Sequence, residues 1–121
     1  MDWIILAVTL ALFIAYIFLR RKGQISAEAA AAYLKSGALL IDVRTPAEYA
    51  ARHLPQAINL PLPHIESLIG AHTNDKDQVL LLHCESGNRS GIAKNKLNAM
   101  GYTRAYNLGS YDRAARILNR N

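Results

Sequence analysis

The hydrophobic pattern divides the chain in two. Residues 3–19 form one unbroken apolar run, sixteen residues of seventeen, interrupted only by Thr9 and free of charge, Gly and Pro. As a helix this run is about 26 Å long, enough to reach across most of a bilayer's hydrocarbon core. Trp3 and Tyr16 suit interfacial positions near its two ends. A signal peptide needs positive charge before its apolar run and small residues at a cleavage site after it. Here Asp2 precedes the run and Arg20-Arg21-Lys22 follow it directly. A run apolar on every face also argues against an amphipathic core helix. The reading is a single-pass anchor over residues 1–22 in the inner (plasma) membrane, its basic flank on the cytoplasmic side. A domain over residues 23–121 follows on that side, with Gly23-Gln24 as a very short linker.

Beyond the linker, short apolar stretches alternate with polar turns. Ser26 is placed to cap a helix over 27–35, with Glu28 in its first turn and Gly37 as its stop. Residues 39–43 read as a buried strand. Thr45-Pro-Ala-Glu48 forms a capping box with Pro at the first helical position, opening a short helix to about Arg52. A second strand is expected over 57–60 and a short helix over 63–69. Residues 79–83, four apolar residues and a His, give the strongest strand signal; a continuous run of this kind suits a central parallel strand. Helical periodicity from about Arg89 to Met100 places Ile92, Ala93, Leu97 and Met100 inward. A strand over 105–107 follows, then a helix over 111–118 with Ala114, Ala115 and Leu118 inward and Arg113, Arg116 and Arg120 outward. Strands alternating with helices predict an α/β domain with a mostly parallel sheet.

Composition narrows the function classes. Hydrophobic residues make up 51% of the chain, with no Gly or Pro excess, which excludes collagen-like and disordered readings. A single cysteine, Cys84, excludes an intramolecular disulfide and fits a reducing compartment. The four histidines are scattered and no Cys/His cluster has zinc spacing, so no metal is expected. The net charge is +5, and since Asp2 belongs to the apolar rod the remainder carries fourteen basic residues against eight acidic, or +6. That excess points to anionic partners, a substrate or lipid headgroups. No basic-aromatic stripe argues for nucleic acid.

The chemistry converges on His83-Cys-Glu-Ser-Gly-Asn-Arg-Ser90, which joins the central strand to a helix. Such a loop lies at the carboxyl edge of a parallel sheet, where α/β folds place their sites. A cysteine there meets backbone N–H groups and a helix N-terminus, both of which favour the thiolate and an anion before it. Gly87 lets the loop curl, and Arg89 offers an always-charged fork for an oxyanion.

The segment Cys84-Glu-Ser-Gly-Asn-Arg-Ser90 resembles the active-site loop of the rhodanese family, sulfurtransferases that carry sulfur as a cysteine persulfide. Ile41-Asp-Val-Arg-Thr-Pro-Ala-Glu-Tyr49 through His53-Leu-Pro-Gln-Ala-Ile-Asn-Leu-Pro61 is similar to that family's other signature. The resemblance covers about residues 25–121. It implies an α/β rhodanese-like domain with a mostly parallel, about five-stranded sheet flanked by helices, here preceded by one transmembrane helix. It makes Cys84 the nucleophile, taking sulfane sulfur from a small anionic donor such as thiosulfate and passing it to cyanide or a thiol. Glu85, Ser86, Gly87, Asn88, Arg89 and Ser90 would surround the bound sulfur, their amides forming the cradle, with no cofactor. Related phosphatases and arsenate reductases have five residues between Cys and Arg; four intervene here, a cradle narrower by one amide that favours a single sulfur atom over phosphate. A second reading is a membrane-tethered persulfide relay or binding module, with a protein partner and little free thiosulfate activity.

Asp42 and Arg44 end the first strand on the same edge. Asp42 is expected to accept loop hydrogen bonds, and Arg44 to pair nearby or contact substrate. His53 fits a turn-fixing role and His83 packing or hydrogen bonding, while His64 and His72 read as surface residues. Glu85 departs from what the chemistry wants, since a carboxylate in the cradle opposes thiolate formation unless it points to solvent. Where the family has a Gly-Gly pair and a Trp after the last strand, this chain has Asn107-Leu-Gly-Ser-Tyr111.

Overall fold

A computed structural model describes residues 2–120, with the side chains of Arg20, Arg21 and Lys22 outside that description. The apolar run lies within one helix, α1 (Asp2–Lys22). Its stretch Asp2–Leu19 is long and apolar enough to cross a membrane, and none of it is buried. The basic flank on which the expected sidedness rests lies in the undescribed side chains.

The rest of the chain alternates as expected: α2 (Ala27–Lys35), β1 (Leu39–Asp42), α3 (Pro46–Ala51), β2 (Ile58–Asn59), α4 (Ile65–Leu68), β3 (Leu80–His83), α5 (Asn88–Ala99), β4 (Ala105–Gly109) and α6 (Tyr111–Leu118). Local chemistry accounts for the boundaries. The Ser26 hydroxyl accepts from the Ala29 N–H at the start of α2. At α3, Thr45 and Glu48 exchange hydrogen bonds in a full capping box, with Pro46 at the first helical position.

The four strands are parallel and run in the order β2-β1-β3-β4. The expected count of about five is therefore corrected to four. A fifth strand is reduced to one residue: Gln24 bridges in parallel to Asn107 of β4, and Ser26, capping α2 two residues later, ends the extended backbone. Gly23-Gln24 is thus not a free linker, because Gln24 is docked on the sheet edge and the Ile25 N–H donates to the Asn107 carbonyl at 3.0 Å.

Alternation along the strands sorts the core into two layers. Ile41, Leu80, Leu82 and Cys84 face α5, with Ala93 and Leu97 beneath them, while Leu40, Leu81 and Leu108 face α2 and α6 through Ala30, Ala114 and Ile117. Two expectations are corrected here. Ile92 is 51% exposed, because Ser90, Ala93 and Leu97 occupy the buried stripe of α5 and leave it on the flank. Arg113 is not simply outward: its guanidinium turns back to donate to the carbonyls of Leu108 and Ile25.

From β1 the chain passes to β2 on one side, and from β3 to β4 on the other. The carboxyl ends of β1 and β3 therefore flank the point where strand order reverses, the usual place for a ligand in an open α/β sheet. Asp42 pairs with His83 across that point, one residue before Cys84.

Candidate functional site

Cys84 leaves the end of β3 on the α5 side of the sheet, fully buried, its N–H donating to the Gly109 carbonyl at 3.2 Å. The loop then curls back over it. Gly87 adopts φ +98°, a left-handed conformation that a side chain rarely takes. This turn aims the Gly87 N–H at Cys84 Sγ from 3.0 Å, and the Ser90 hydroxyl lies 3.4 Å from the same sulfur. A Cβ at Gly87 would also sit 3.1 Å from the Gln24 side-chain nitrogen, so a larger residue would have to push that amide aside. Burial pushes the Cys84 thiol up, but the Ser90 hydroxyl and the N–H groups of Ser90, Gly87 and Ser86 outweigh it. The net shift is downward from the ordinary thiol value. The loop is thus a set of donors aimed at one sulfur, able to hold a thiolate or a second sulfur attached to it.

Three groups hold the loop in this shape. The Arg89 guanidinium forks onto the Glu48 carboxylate of α3 at 2.6 and 2.9 Å. That pair holds Glu48 down to about 2, with Thr45 at the capping box adding to the effect. On the other side Ser86 bridges to Ser110, and the Tyr111 N–H donates to the Glu85 carbonyl at 3.3 Å. The third is Asn107. Its side-chain nitrogen donates to the Gly87 carbonyl at 3.0 Å, and its oxygen accepts from the Gly109 N–H at 2.9 Å and the Ser90 hydroxyl at 2.7 Å.

Asp42 and Arg44 form a second, buried cluster beside the loop. The Arg44 guanidinium donates to both Asp42 oxygens at 2.8–3.0 Å and to the Arg52 carbonyl at 2.8 Å. Glu85 turns toward this cluster, its carboxylate 3.2 Å from Arg44 and 3.4 Å from Arg52. Both guanidiniums lie over the Tyr111 ring, at 4.9 and 4.0 Å. The carboxylate that sits awkwardly beside a thiolate is therefore countered by two cations. His83 is buried; one ring nitrogen donates to the Cys84 carbonyl at 3.1 Å and the other lies 3.7 Å from Asp42. Burial outweighs Asp42 and pulls the His83 pKa below its ordinary value. His53 bonds the Tyr49 carbonyl at 2.9 Å and stacks on the Tyr49 ring, at the turn after α3.

The loop residues Cys84 through Ser90 thus converge as a unit, while Asp42 and Arg44 stand behind Glu85 rather than around the sulfur. Asn88, at the first turn of α5, lines a surface depression together with Gln24. Sequence reading passed over Asn107, Glu48, Arg52 and Tyr111 as parts of this site. Asn107 carried a signal, being an amide within a short strand, where Asn is disfavoured without a specific partner. Among the described residues, no three His, Cys, Asp or Glu side chains come together as a metal site.

A family profile described as the rhodanese-like domain matches residues 26–114. The chain belongs to the rhodanese-like family. The rhodanese domain is 41% identical over 69 residues to thiosulfate sulfurtransferase PspE of Escherichia coli, a match covering 57% of this chain and 66% of that protein. It is 32% identical over 85 residues to thiosulfate sulfurtransferase GlpE of Pseudomonas syringae, covering 70% of this chain and 78% of that protein. The matched stretch therefore spans just under two thirds of PspE. A solved rhodanese with anions from E. coli superposes with a TM-score of 0.61 at 36% identity, over 64% of this chain and 91% of that one. The fold is that of a rhodanese domain, its four-stranded parallel sheet preceded by an apolar helix.

Proposed function

We propose that this rhodanese domain is a sulfurtransferase that moves sulfane sulfur from a donor such as thiosulfate to a thiol or cyanide through a persulfide on Cys84. The observation that carries the reading is the Cys84 sulfur beneath inward-pointing donors, with Gly87 N–H at 3.0 Å. Relatives named thiosulfate sulfurtransferase support it. In the first half-reaction the Cys84 thiolate attacks the outer sulfur of thiosulfate. A Cys–S bond to that sulfur forms, its bond to the sulfonate breaks, and sulfite leaves with the electron pair. In the second, an acceptor thiolate attacks the outer sulfur of the persulfide. The S–S bond to Cys84 breaks, the thiolate is regenerated, and the acceptor leaves as its own persulfide. Ser86, Gly87 and Ser90 offer N–H groups to the sulfur, Arg89 clasps the loop to Glu48, and Asp42 with Arg44 buttresses Glu85. The domain is residues 23–121, and residues 1–22 anchor it in the plasma membrane through α1. The Arg20-Arg21-Lys22 flank supports a cytoplasmic domain.

Thiosulfate:cyanide turnover of the full chain, read beside its intact mass, tests this. Turnover with an adduct of about 32 Da on Cys84 supports the enzyme. The adduct without turnover supports a membrane-tethered persulfide relay fed by a protein partner, and the absence of both turnover and adduct overturns both readings.

Glu85 gives a further expected result. The Glu85→Gln variant removes a negative charge from the donor's approach and frees Arg52 to meet the dianion. Because Arg44 and Arg52 already offset Glu85, the gain is about 1 kcal/mol at most, a fall in the thiosulfate KM of about two- to fivefold. The fall shrinks at high salt. An unchanged or higher KM at low salt contradicts the electrostatic account.

A further inference from the structure

The covalent path from the apolar helix to the catalytic loop is very short, and this has a consequence for where the enzyme works. The apolar stretch ends at Leu19 and α1 at Lys22, and only Gly23 precedes Gln24. Helical rise and two extended steps place Gln24 at most about 12 Å beyond the last apolar residue. The headgroup layer of one leaflet takes up about half of that distance. The domain in turn is fixed to Gln24, which is bridged to Asn107, with the Ile25 N–H held by the Asn107 carbonyl. Its side chain packs on Gly87, whose N–H contacts Cys84 Sγ. Through these contacts and the bonds of Gly87, the sulfur lies within about 9 Å of the Gln24 amide.

The surface next to Gln24 has the chemistry of an interfacial face. A depression of about 290 Å³ opens between Gln24 and α5, lined by Asn88, Ile92, Lys94 and Asn95 among others. Ile92 is the large exposed hydrophobic residue of α5. No residue lining the depression is acidic, and Lys94 has no carboxylate partner among the described residues. One apolar side chain and one unpaired cation, held within a short tether of a membrane, suit a layer of anionic headgroups.

We propose that the α5 face bearing Ile92, Lys94 and Asn95 lies on an anionic lipid surface, so that Cys84 passes sulfur to a thiol displayed at that surface rather than in bulk water. This rests on the anchor reading above. The acceptor thiolate, held at the headgroup level, takes the outer persulfide sulfur as in the second half-reaction already written.

The test uses the full chain in vesicles of phosphatidylcholine and phosphatidylglycerol. Flotation of the vesicles first reports whether α1 holds the protein. A fluorophore is then attached at Ile92→Cys or at Asp77→Cys, each in a Cys84→Ser background. Asp77 lies just before the amino end of β3, at the opposite edge of the sheet. Headgroup-labelled quencher lipid is expected to quench the Ile92 site at least about threefold more strongly than the Asp77 site. In the active chain, Lys94→Glu is expected to lower sulfur transfer to a phospholipid carrying a headgroup thiol by about fivefold or more, leaving transfer to glutathione unchanged. Failure to float overturns the anchor and this inference with it. Flotation with equal quenching at the two sites overturns this face alone, as does an equal loss with both acceptors.

Discussion

Replacing Cys84 by Ser is expected to remove sulfur transfer entirely while the domain stays folded. The chemistry is lost because a hydroxyl is not ionised at neutral pH and cannot form the S–S bond on which both half-reactions depend. A fall in turnover of at least about a thousandfold is expected. The fold survives because the exchange is nearly isosteric and the new oxygen can take the Gly87 N–H and meet Ser90, the two groups that now face the sulfur. The stability change should stay near 1 kcal/mol. Turnover and a denaturant midpoint, measured together on Cys84→Ser and on Cys84→Ala, check both halves. Retained turnover in either variant removes Cys84 from the mechanism. Loss of turnover accompanied by unfolding in both variants would leave the sulfur with a structural role instead.

How far such a site can be read in advance depends on which interactions are local in sequence. The caps of α2 and α3, the burial of β3 and the curl at Gly87 are all decided within a few residues, and each was legible. The Cys84 loop was legible for the same reason, since one strand-turn-helix segment carries the thiol and the donors aimed at it. The clasp between Arg89 and Glu48 spans 41 residues, and that between Asn107 and the Gly87 carbonyl spans 20. No periodicity reports such pairings. The four strands were legible in the residue pattern, whereas the count of about five came from the family resemblance; Gln24 joins the sheet edge by one bridge only, too short a stretch to make a fifth strand. Ile92 was misplaced because the buried stripe of α5 is set by small residues, Ser90 and Ala93, close to the strands they pack on. Hydrophobicity ranks Ile above Ser, whereas proximity to the sheet favours the small side chain.

Asn107→Leu is expected to have the next largest effect and to do two opposite things. The Asn107 amide is oriented by its partners: its nitrogen faces the Gly87 carbonyl, so its oxygen is the acceptor for the Gly109 N–H and the Ser90 hydroxyl. Ser90 has one proton, and Asn107 at 2.7 Å competes for it with the Cys84 sulfur at 3.4 Å. Leu fills the site without an acceptor and without admitting water, so the Ser90 proton turns to the sulfur and favours the thiolate. The pH midpoint of Cys84 alkylation, already below the ordinary thiol value in the parent, should fall further. The thiolate then persists to lower pH, and alkylation below the parent midpoint speeds up. At the same time the Gly87 carbonyl and Gly109 N–H lose a buried partner, a loss of about 2–3 kcal/mol in stability. Turnover should fall at least about tenfold as the cradle loosens. A second background separates the two effects. With Ser90→Ala there is no proton to redirect, so adding Asn107→Leu should leave the alkylation midpoint where Ser90→Ala puts it, while the stability loss remains. A midpoint that falls equally with and without the Ser90 hydroxyl would assign the shift to the loosened loop and end the competition argument.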